Sequence, residues 1–150
     1  MGSISKYLDN RLVLFLDVQS RDQALSTLID ALDSNHKLKD KEAFYQAVLA
    51  REKIVSTGIG MGVAVPHAKL PHYDEFFIAI GIQKLGVEWK ALDSAPVRLI
   101  FLIGGPDDKQ TEYLQLLSRL TLAIKDVERR KRMLAATTAD EIIQLFQSIA

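Results

Sequence analysis

The sequence contains no cysteine among its 150 residues. Disulfides, thiolate nucleophiles and cysteine-based zinc sites are therefore excluded. The sequence also has no net charge, because nineteen Lys and Arg residues balance nineteen Asp and Glu residues. A neutral protein has no general field that draws it to nucleic acid or to anionic lipid, so nucleic acid is not expected as a partner.

Long hydrophobic runs are missing as well. No stretch of about 18 or more apolar residues is present, so membrane insertion is not expected. The first residues lack the apolar segment of a secretory signal, and together with the absence of cysteine this favours a cytoplasmic protein. The length is that of one domain, and we predict a single domain over residues 1–150 with an ordered core over about 4–149.

Two amphipathic helices are predicted in the first third of the chain. Ser20 and Gln23 have the spacing of a capping box, and an apolar stripe at helical spacing follows them. Asp40 is placed to cap a second helix, which ends near Lys53.

The helical period returns in the last third of the chain. One apolar face begins after Asp107 and consists of Tyr113, Leu114, Leu117, Leu120 and Ile124. Thr138 and Glu141 have the spacing of another capping box, which predicts a final helix over 138–149.

Between these helical regions the chain is rich in β-branched residues and glycine, which is typical of strands. The predicted strands are 62–65, 76–83, 86–91 and 97–105. The last is apolar on both faces from Val97 to Ile103, apart from Arg98, which predicts a central strand. The short interval from Lys84 to Gly86 predicts a hairpin. We therefore predict one α/β domain, with a mixed sheet of about five strands and helices on both faces.

The stretch from Gly58 to Leu70, GIGMGVAVPHAKL, places one of only three histidines directly after a proline. Pro66 favours an extended residue before it, so the ring of His67 leaves the end of a strand in a defined direction. Glycines such as Gly58 and Gly60 allow the backbone to present N–H groups to an anion. Because neutral imidazole is a nucleophile near pH 7, His67 is a candidate acceptor of a phosphoryl group.

Phosphoryl transfer also needs a positive charge near the phosphoryl oxygens. The guanidinium of Arg51, at the end of the preceding helix, has several N–H donors in a geometry that matches those oxygens. Ser56 and Thr57 are candidate hydroxyl donors. The alternatives are that Arg51 only caps its helix, and that a histidine in such a loop is structural or simply exposed. A metal site is not expected, because His67 and His72 are five apart without a third ligand, and no cofactor-binding fingerprint is present.

The same stretch resembles a family signature. Glu52, six further residues, Ile59-Gly60, two more residues and then VAVPHA at 63–68 are similar to the active-site pattern of certain enzyme IIA domains. These are the fructose/mannitol-type IIA domains of the bacterial phosphoenolpyruvate-dependent phosphotransferase system. The likeness is strongest with the nitrogen-regulatory branch, IIA-Ntr, over LAREKIVSTGIGMGVAVPHAKL from Leu49 to Leu70, and it extends over nearly the whole chain.

The resemblance implies a role for each matching residue. His67 is expected to accept a phosphoryl group on Nε2 from a phosphorylated HPr-like carrier, and Arg51 is expected to steady that group. Regulatory target proteins are the other implied partners. Many members carry a second histidine beside the acceptor, and the corresponding residue here is Tyr113, which cannot become a cation near neutral pH.

Two functions stay open at this point. The first is a phosphocarrier that regulates partner proteins through its phosphorylation state. The second is a regulatory binding module that has lost efficient phosphotransfer because Tyr113 replaces a second imidazole.

Overall fold

The structure is a computed structural model and describes residues 4–147. Two 3-10 turns, Ile4–Tyr7 and Asn10–Leu12, precede the first strand. The strands are β1 (Val13–Phe15), β2 (Gly58–Gly60), β3 (Val63–Ala64), β4 (His67–Leu70), β5 (Phe77–Val87) and β6 (Val97–Pro106). The helices are α1 (Arg21–Ser34), α2 (Lys41–Ile54), α3 (Gln110–Lys125), α4 (Val127–Ala135) and α5 (Ala139–Gln147). Residues 148 and 149, predicted to end the core and the last helix, lie outside the described residues. Within the described range, no helix has the length and apolar character needed to cross a membrane.

The predicted N-terminal caps of α1 and α2 are confirmed. The side chain of Ser20 accepts the N–H of Gln23 at 3.1 Å, and that of Asp40 accepts the N–H of Ala43 at 3.0 Å. The side-chain oxygen of Gln23 accepts the N–H of Gln19 at 2.7 Å. Gln19 is the residue before the capping residue Ser20. Each bond satisfies an N–H group that has no partner inside the helix, which fixes where the helix begins.

The sheet is mixed, as predicted, and β6 is its central strand. The order is β1-β5-β6-β3-β2, with β4 also paired to β6. β5 runs antiparallel to β6, whereas β3 and β4 run parallel to it. Val63 pairs with Leu99 and His67 with Ile103 in the same register, so β3 and β4 continue one another along β6. Pro66 lies in the interruption, and its carbonyl accepts the N–H of Ile103 at 3.0 Å.

Helices cover both faces of the sheet, which is also as predicted. On β6, Leu99 and Phe101 belong to the core under α3, α4 and α5. Ile100 and Leu102 point the other way, into the core under α1 and α2. Because successive side chains of a strand alternate between faces, a strand covered on both sides is apolar throughout. Arg98, the polar exception, is exposed.

The predicted hairpin from Lys84 to Gly86 is wrong, because β5 continues without a turn to Val87. The register of β5 against β6 shifts between Ile82 and Val87, and Gly86 has a φ of +82°. The extra residues are therefore absorbed as an irregularity within a continuous strand. The predicted partner strand of this hairpin is absent, and Trp89 instead enters the core on the α1 and α2 side.

One predicted core position in α3 is wrong. Leu114 is 52% exposed, whereas Leu116 is buried. Tyr113, Leu120 and Ile124 are buried as predicted. The buried side chains of α3 follow Tyr113 at steps of three and four residues. Leu114 is one residue after Tyr113, so its side chain lies about 100° around the helix from that of Tyr113 and outside the buried stripe.

Candidate functional site

Three elements bring the main candidate residues together. His67 is the first residue of β4, Arg51 lies in the last turn of α2, and Tyr113 lies in the first turn of α3. The ring centroids of His67 and Tyr113 are 5.8 Å apart. Tyr113 also contacts Phe76, with a centroid distance of 5.9 Å. The half-buried imidazole therefore lies against a buried aromatic wall.

The hydrogen bonding of His67 assigns its two ring nitrogens. Nδ1 is 3.2 Å from the carbonyl oxygen of Val65. A carbonyl only accepts, so Nδ1 carries the proton. In the neutral ring Nε2 then has the lone pair, and it is the nitrogen that can act as a nucleophile.

The surroundings of His67 favour this neutral form. Burial lowers the pKa of His67 below its usual value. The hydrogen bond to Val65 opposes this effect, whereas the charges of Arg51 and Lys69 lower the pKa further. The imidazole is therefore unprotonated at neutral pH, with its nucleophilic nitrogen available.

One of the two roles that the sequence analysis left open for Arg51, the capping of its helix, is observed. Its Nη1 donates to the carbonyl of Val55 at 2.9 Å, so the guanidinium does cap the end of α2. Its charge also lowers the pKa of both His67 and Tyr113, which places it near both rings. A guanidinium has five N–H donors, and one bond to a carbonyl leaves others for an anion at this position.

Tyr113 remains a neutral phenol. Burial raises the pKa of Tyr113, although the nearby charge of Arg51 opposes the shift. Tyr113 therefore gives the site a neutral hydroxyl and a ring face.

Lys69 is a site residue that the sequence analysis missed. Its Nζ lies 4.1 Å from the centroid of the Tyr113 ring and donates to Oε1 of Gln110 at 2.8 Å. The signal was present in the sequence, because residues two apart in a strand point to the same face and Lys69 is two residues after His67. The site thus has a second cation besides Arg51.

Glu52 is a second residue whose role was missed. Its carboxylate is buried and accepts the hydroxyl and the N–H of Thr57, the latter at 3.2 Å, and the indole N–H of Trp89 at 3.2 Å. The sequence contained a signal, because Phe44, Val48 and Glu52 follow one another at steps of four along the buried face of α2. These bonds join the turn that carries Arg51 to the glycine-rich segment.

The other predicted supporting residues make contacts within the protein, mainly with the segment that follows β5. The hydroxyl of Ser56 donates to the carbonyl of Trp89 at 3.0 Å and accepts the N–H of Gly58 at 3.0 Å. Gly60 lies against Asp93, whose carboxylate accepts the next N–H along the chain, that of Met61, at 3.2 Å. Ser56 and Thr57 thus donate their hydroxyl protons within the protein, and the N–H of Gly58 is also occupied. These bonds join the glycine-rich segment to Glu52 of α2 and to Trp89.

Exposed apolar side chains follow two of the site residues in sequence. Ile54 and Val55 follow Arg51 and are 78% and 50% exposed, and Leu114 follows Tyr113. Neighbouring exposed apolar side chains are typical of a surface that contacts another protein. The fold and site thus define an α/β domain with a neutral nucleophilic histidine beside two cations at such a surface.

The family with the description "Phosphoenolpyruvate-dependent sugar phosphotransferase system, EIIA 2" matches residues 6–149. The chain belongs to this family of phosphocarrier domains. A nitrogen regulatory protein of Bradyrhizobium diazoefficiens is 31% identical over 127 residues, which are 85% of this chain and 82% of that protein. The crystal structure of the nitrogen regulatory protein IIA-Ntr from Neisseria meningitidis has a TM-score of 0.89 at 26% identity, covering 95% of this chain and 98% of that one.

A longer relative matches as well. The fructose-specific EIIABC component of the phosphotransferase system of Bacillus subtilis is 36% identical over 132 residues, which are 88% of this chain. The matched part is only 21% of that protein, so the chain spans about a fifth of its length.

Proposed function

We propose that this protein is a phosphocarrier that accepts a phosphoryl group on Nε2 of His67 from a phosphorylated HPr-like protein. We further propose that its phosphorylation state regulates partner proteins. The likeness to nitrogen regulatory proteins over most of their length supports the regulatory part. The expected cytoplasmic location remains a prediction.

The observation that carries this proposal is the bond between Nδ1 of His67 and the carbonyl of Val65. It holds the proton on Nδ1 and aims the ring, so that Nε2 offers its lone pair without first losing a proton. The lowered pKa of His67 keeps that lone pair available at neutral pH.

The transfer step needs no cofactor. The lone pair of Nε2 attacks the phosphorus of the donor's phosphohistidine, and a new N–P bond forms on His67 while the donor's N–P bond breaks. The electron pair of the broken bond returns to the donor's imidazole. The proton on Nδ1 of His67 stays on the bond to Val65, and Arg51 provides positive charge for the phosphoryl oxygens.

Phosphorylation would change what the surface around His67 can bind. It adds about two negative charges at His67, whose ring contacts Tyr113, the residue before the exposed Leu114. An apolar partner surface that fits the unmodified protein would then have to bury those charges, which is unfavourable. This supplies a physical means for the phosphorylation state to select partners.

The test is to incubate the protein with phosphoenolpyruvate, enzyme I and an HPr-like carrier and to measure its intact mass. The pH is kept neutral to mildly alkaline because phosphohistidine is labile in acid. We expect the wild type to gain one phosphoryl group and His67→Ala to gain none. The matched control is His72→Asn, because His72 is exposed and asparagine tolerates its φ of 72°.

A wild type that gains no mass under these conditions, with a carrier shown to be phosphorylated, would overturn the phosphocarrier proposal. The same holds if His67→Ala is labelled as fully as the wild type.

The second candidate is a binding module without efficient phosphotransfer. The observation that favours it is Tyr113, a neutral residue against the ring of His67. A Tyr113→His variant distinguishes the two functions, because only the second predicts that this variant is labelled while the wild type is not.

A further inference from the structure

The ammonium group of Lys69 is held beside the candidate acceptor by two weak contacts. It lies 4.1 Å from the centroid of the Tyr113 ring and bonds to the neutral side-chain amide of Gln110 at 2.8 Å. No carboxylate forms an ion pair with Lys69 among residues 4–147. Its positive charge is therefore not neutralised by an acidic neighbour.

Lys69 is also placed to reach His67. The two residues are two apart in β4, pairing with Gly105 and Ile103 of β6, so their side chains leave the same face of the strand. Both side chains approach the Tyr113 ring, and the charge of Lys69 acts on the imidazole. A lysine side chain has four flexible carbon–carbon bonds, which allow its ammonium to move by several ångströms.

We propose that Lys69 is a second phosphoryl-binding residue, whose ammonium moves from Tyr113 and Gln110 to the phosphoryl oxygens when His67 is phosphorylated. This inference rests on the proposed function, because it requires a phosphoryl group on His67. It adds to that function a second cation, supplied from within β4, which acts beside Arg51.

The direction of the movement follows from the relative strengths of the contacts. The phosphoryl group carries about two negative charges and attracts the ammonium directly, whereas the amide of Gln110 and the ring of Tyr113 carry no net charge. The contacts with the Tyr113 ring and the Gln110 amide involve no opposite charge, so the phosphoryl group competes well for the ammonium.

The movement has a consequence for α3. Lys69 links β4 to the first turn of α3 through Gln110 and Tyr113. When the ammonium turns to the phosphoryl group, this link is released. The first turn of α3, which also carries the exposed Leu114, would then report the phosphorylation state to a partner.

The test compares Lys69→Met, which keeps the length of the stem without the charge, with Lys69→Arg, which keeps the charge. We expect Lys69→Met to be labelled about 10-fold more slowly by the phosphorylated HPr-like carrier, and Lys69→Arg to stay within about 3-fold of the wild type. The matched control is Lys125→Met, an exposed lysine at the other end of α3. Urea unfolding of each variant checks that the fold is intact.

A second measurement reports the movement itself. We expect phosphorylation of the wild type to shift the NMR signals of the Tyr113 ring and of the Gln110 side-chain amide. In Lys69→Met those shifts should fall to less than half, because the ammonium that leaves these groups is absent.

The outcomes separate the two proposals. If the wild type is labelled, and Lys69→Met is labelled at the same rate with the same shifts, the role of Lys69 is overturned and the phosphocarrier function stands. If the wild type cannot be labelled at all, both proposals fall.

Discussion

The indole N–H of Trp89 donates to the buried carboxylate of Glu52 at 3.2 Å, across 37 residues of sequence. The same carboxylate accepts two bonds from Thr57. One buried acid thus joins the end of α2, the start of the glycine-rich segment and the loop that follows β5. Since Arg51 is the neighbour of Glu52 in α2, the position of the cation depends on this buried cluster.

Replacing Glu52 should destabilise the protein strongly. In Glu52→Ala, the buried N–H of Thr57 loses its acceptor and the indole N–H of Trp89 keeps only a bond of 3.4 Å to the hydroxyl of Thr57. Each unsatisfied buried group costs about 1–3 kcal/mol. We expect the free energy of unfolding, measured with urea, to fall by about 2–4 kcal/mol. The matched control is Glu42→Ala on the exposed side of α2, which should change it by less than about 1 kcal/mol. Equal effects of the two variants would contradict the role of the buried cluster.

Replacing Arg51 should slow phosphotransfer without abolishing the acceptor. We expect Arg51→Ala to be labelled about 100-fold more slowly, because the phosphoryl oxygens lose a charged donor. Arg51→Lys should lie between this variant and the wild type, since it keeps the charge but not the fork. Rates come from intact mass against time, and Arg21→Ala in α1 is the control. Wild-type rates for both Arg51 variants would show that Arg51 only caps α2.

The pKa of His67 should be measurable by NMR titration of its ring. We expect a value below the ordinary 6.5, because burial disfavours the imidazolium ion. In Arg51→Gln the pKa should rise towards the ordinary value, because a nearby positive charge has been removed. Arg21→Gln should leave it unchanged. A pKa above the ordinary value in the wild type would contradict both the burial and the cation effects.

The lowered pKa of His67 should also appear as a pH dependence of stability. The unfolded chain binds a proton at this residue near pH 6.5, and the folded protein does so only at lower pH. Stability from this source is therefore fully present above about pH 6.5 and is lost as the pH falls from there through the lower pKa of the folded protein. Between about pH 8 and pH 5, the wild type should lose more stability than His67→Gln in urea unfolding. Equal losses of stability in the wild type and in His67→Gln would mean that His67 has the same pKa in the folded and unfolded protein.

Gly58 should not tolerate a side chain. A Cβ atom there would lie 2.7 Å from the Cβ of Ala91 and 2.9 Å from its Cα. We expect Gly58→Ala to lower the free energy of unfolding by about 1–3 kcal/mol through overpacking. Adding Ala91→Gly should recover part of this loss, because one of the two close contacts disappears. If Ala91→Gly recovers no stability, the loss in Gly58→Ala comes from a change in backbone conformation and not from contact with the side chain of Ala91.

Much of the fold was predictable because its signals are local. Ser20 and Asp40 cap helices through atoms three residues away, and the apolar run of β6 reveals a strand covered on both faces. The hairpin after Lys84 was predicted wrongly because a glycine with positive φ fits both a turn and an irregular strand. Only the pairing of β5 with β6 separates those two structures.

The candidate acceptor can be read from the sequence, since Pro66 and His67 form part of a specific pattern and a proline restricts the backbone on both sides. The sequence also determined which residue types are absent and therefore which chemistries are excluded. Tertiary structure alone decided which groups serve that acceptor. It placed the carbonyl of Val65 against Nδ1, placed Lys69 on the Tyr113 ring, and directed the hydroxyls of Ser56 and Thr57 to Trp89 and Glu52. The bond to Val65 depends on the local backbone on either side of Pro66, and the other contacts depend on distances between different elements, which are set when the elements pack on the sheet.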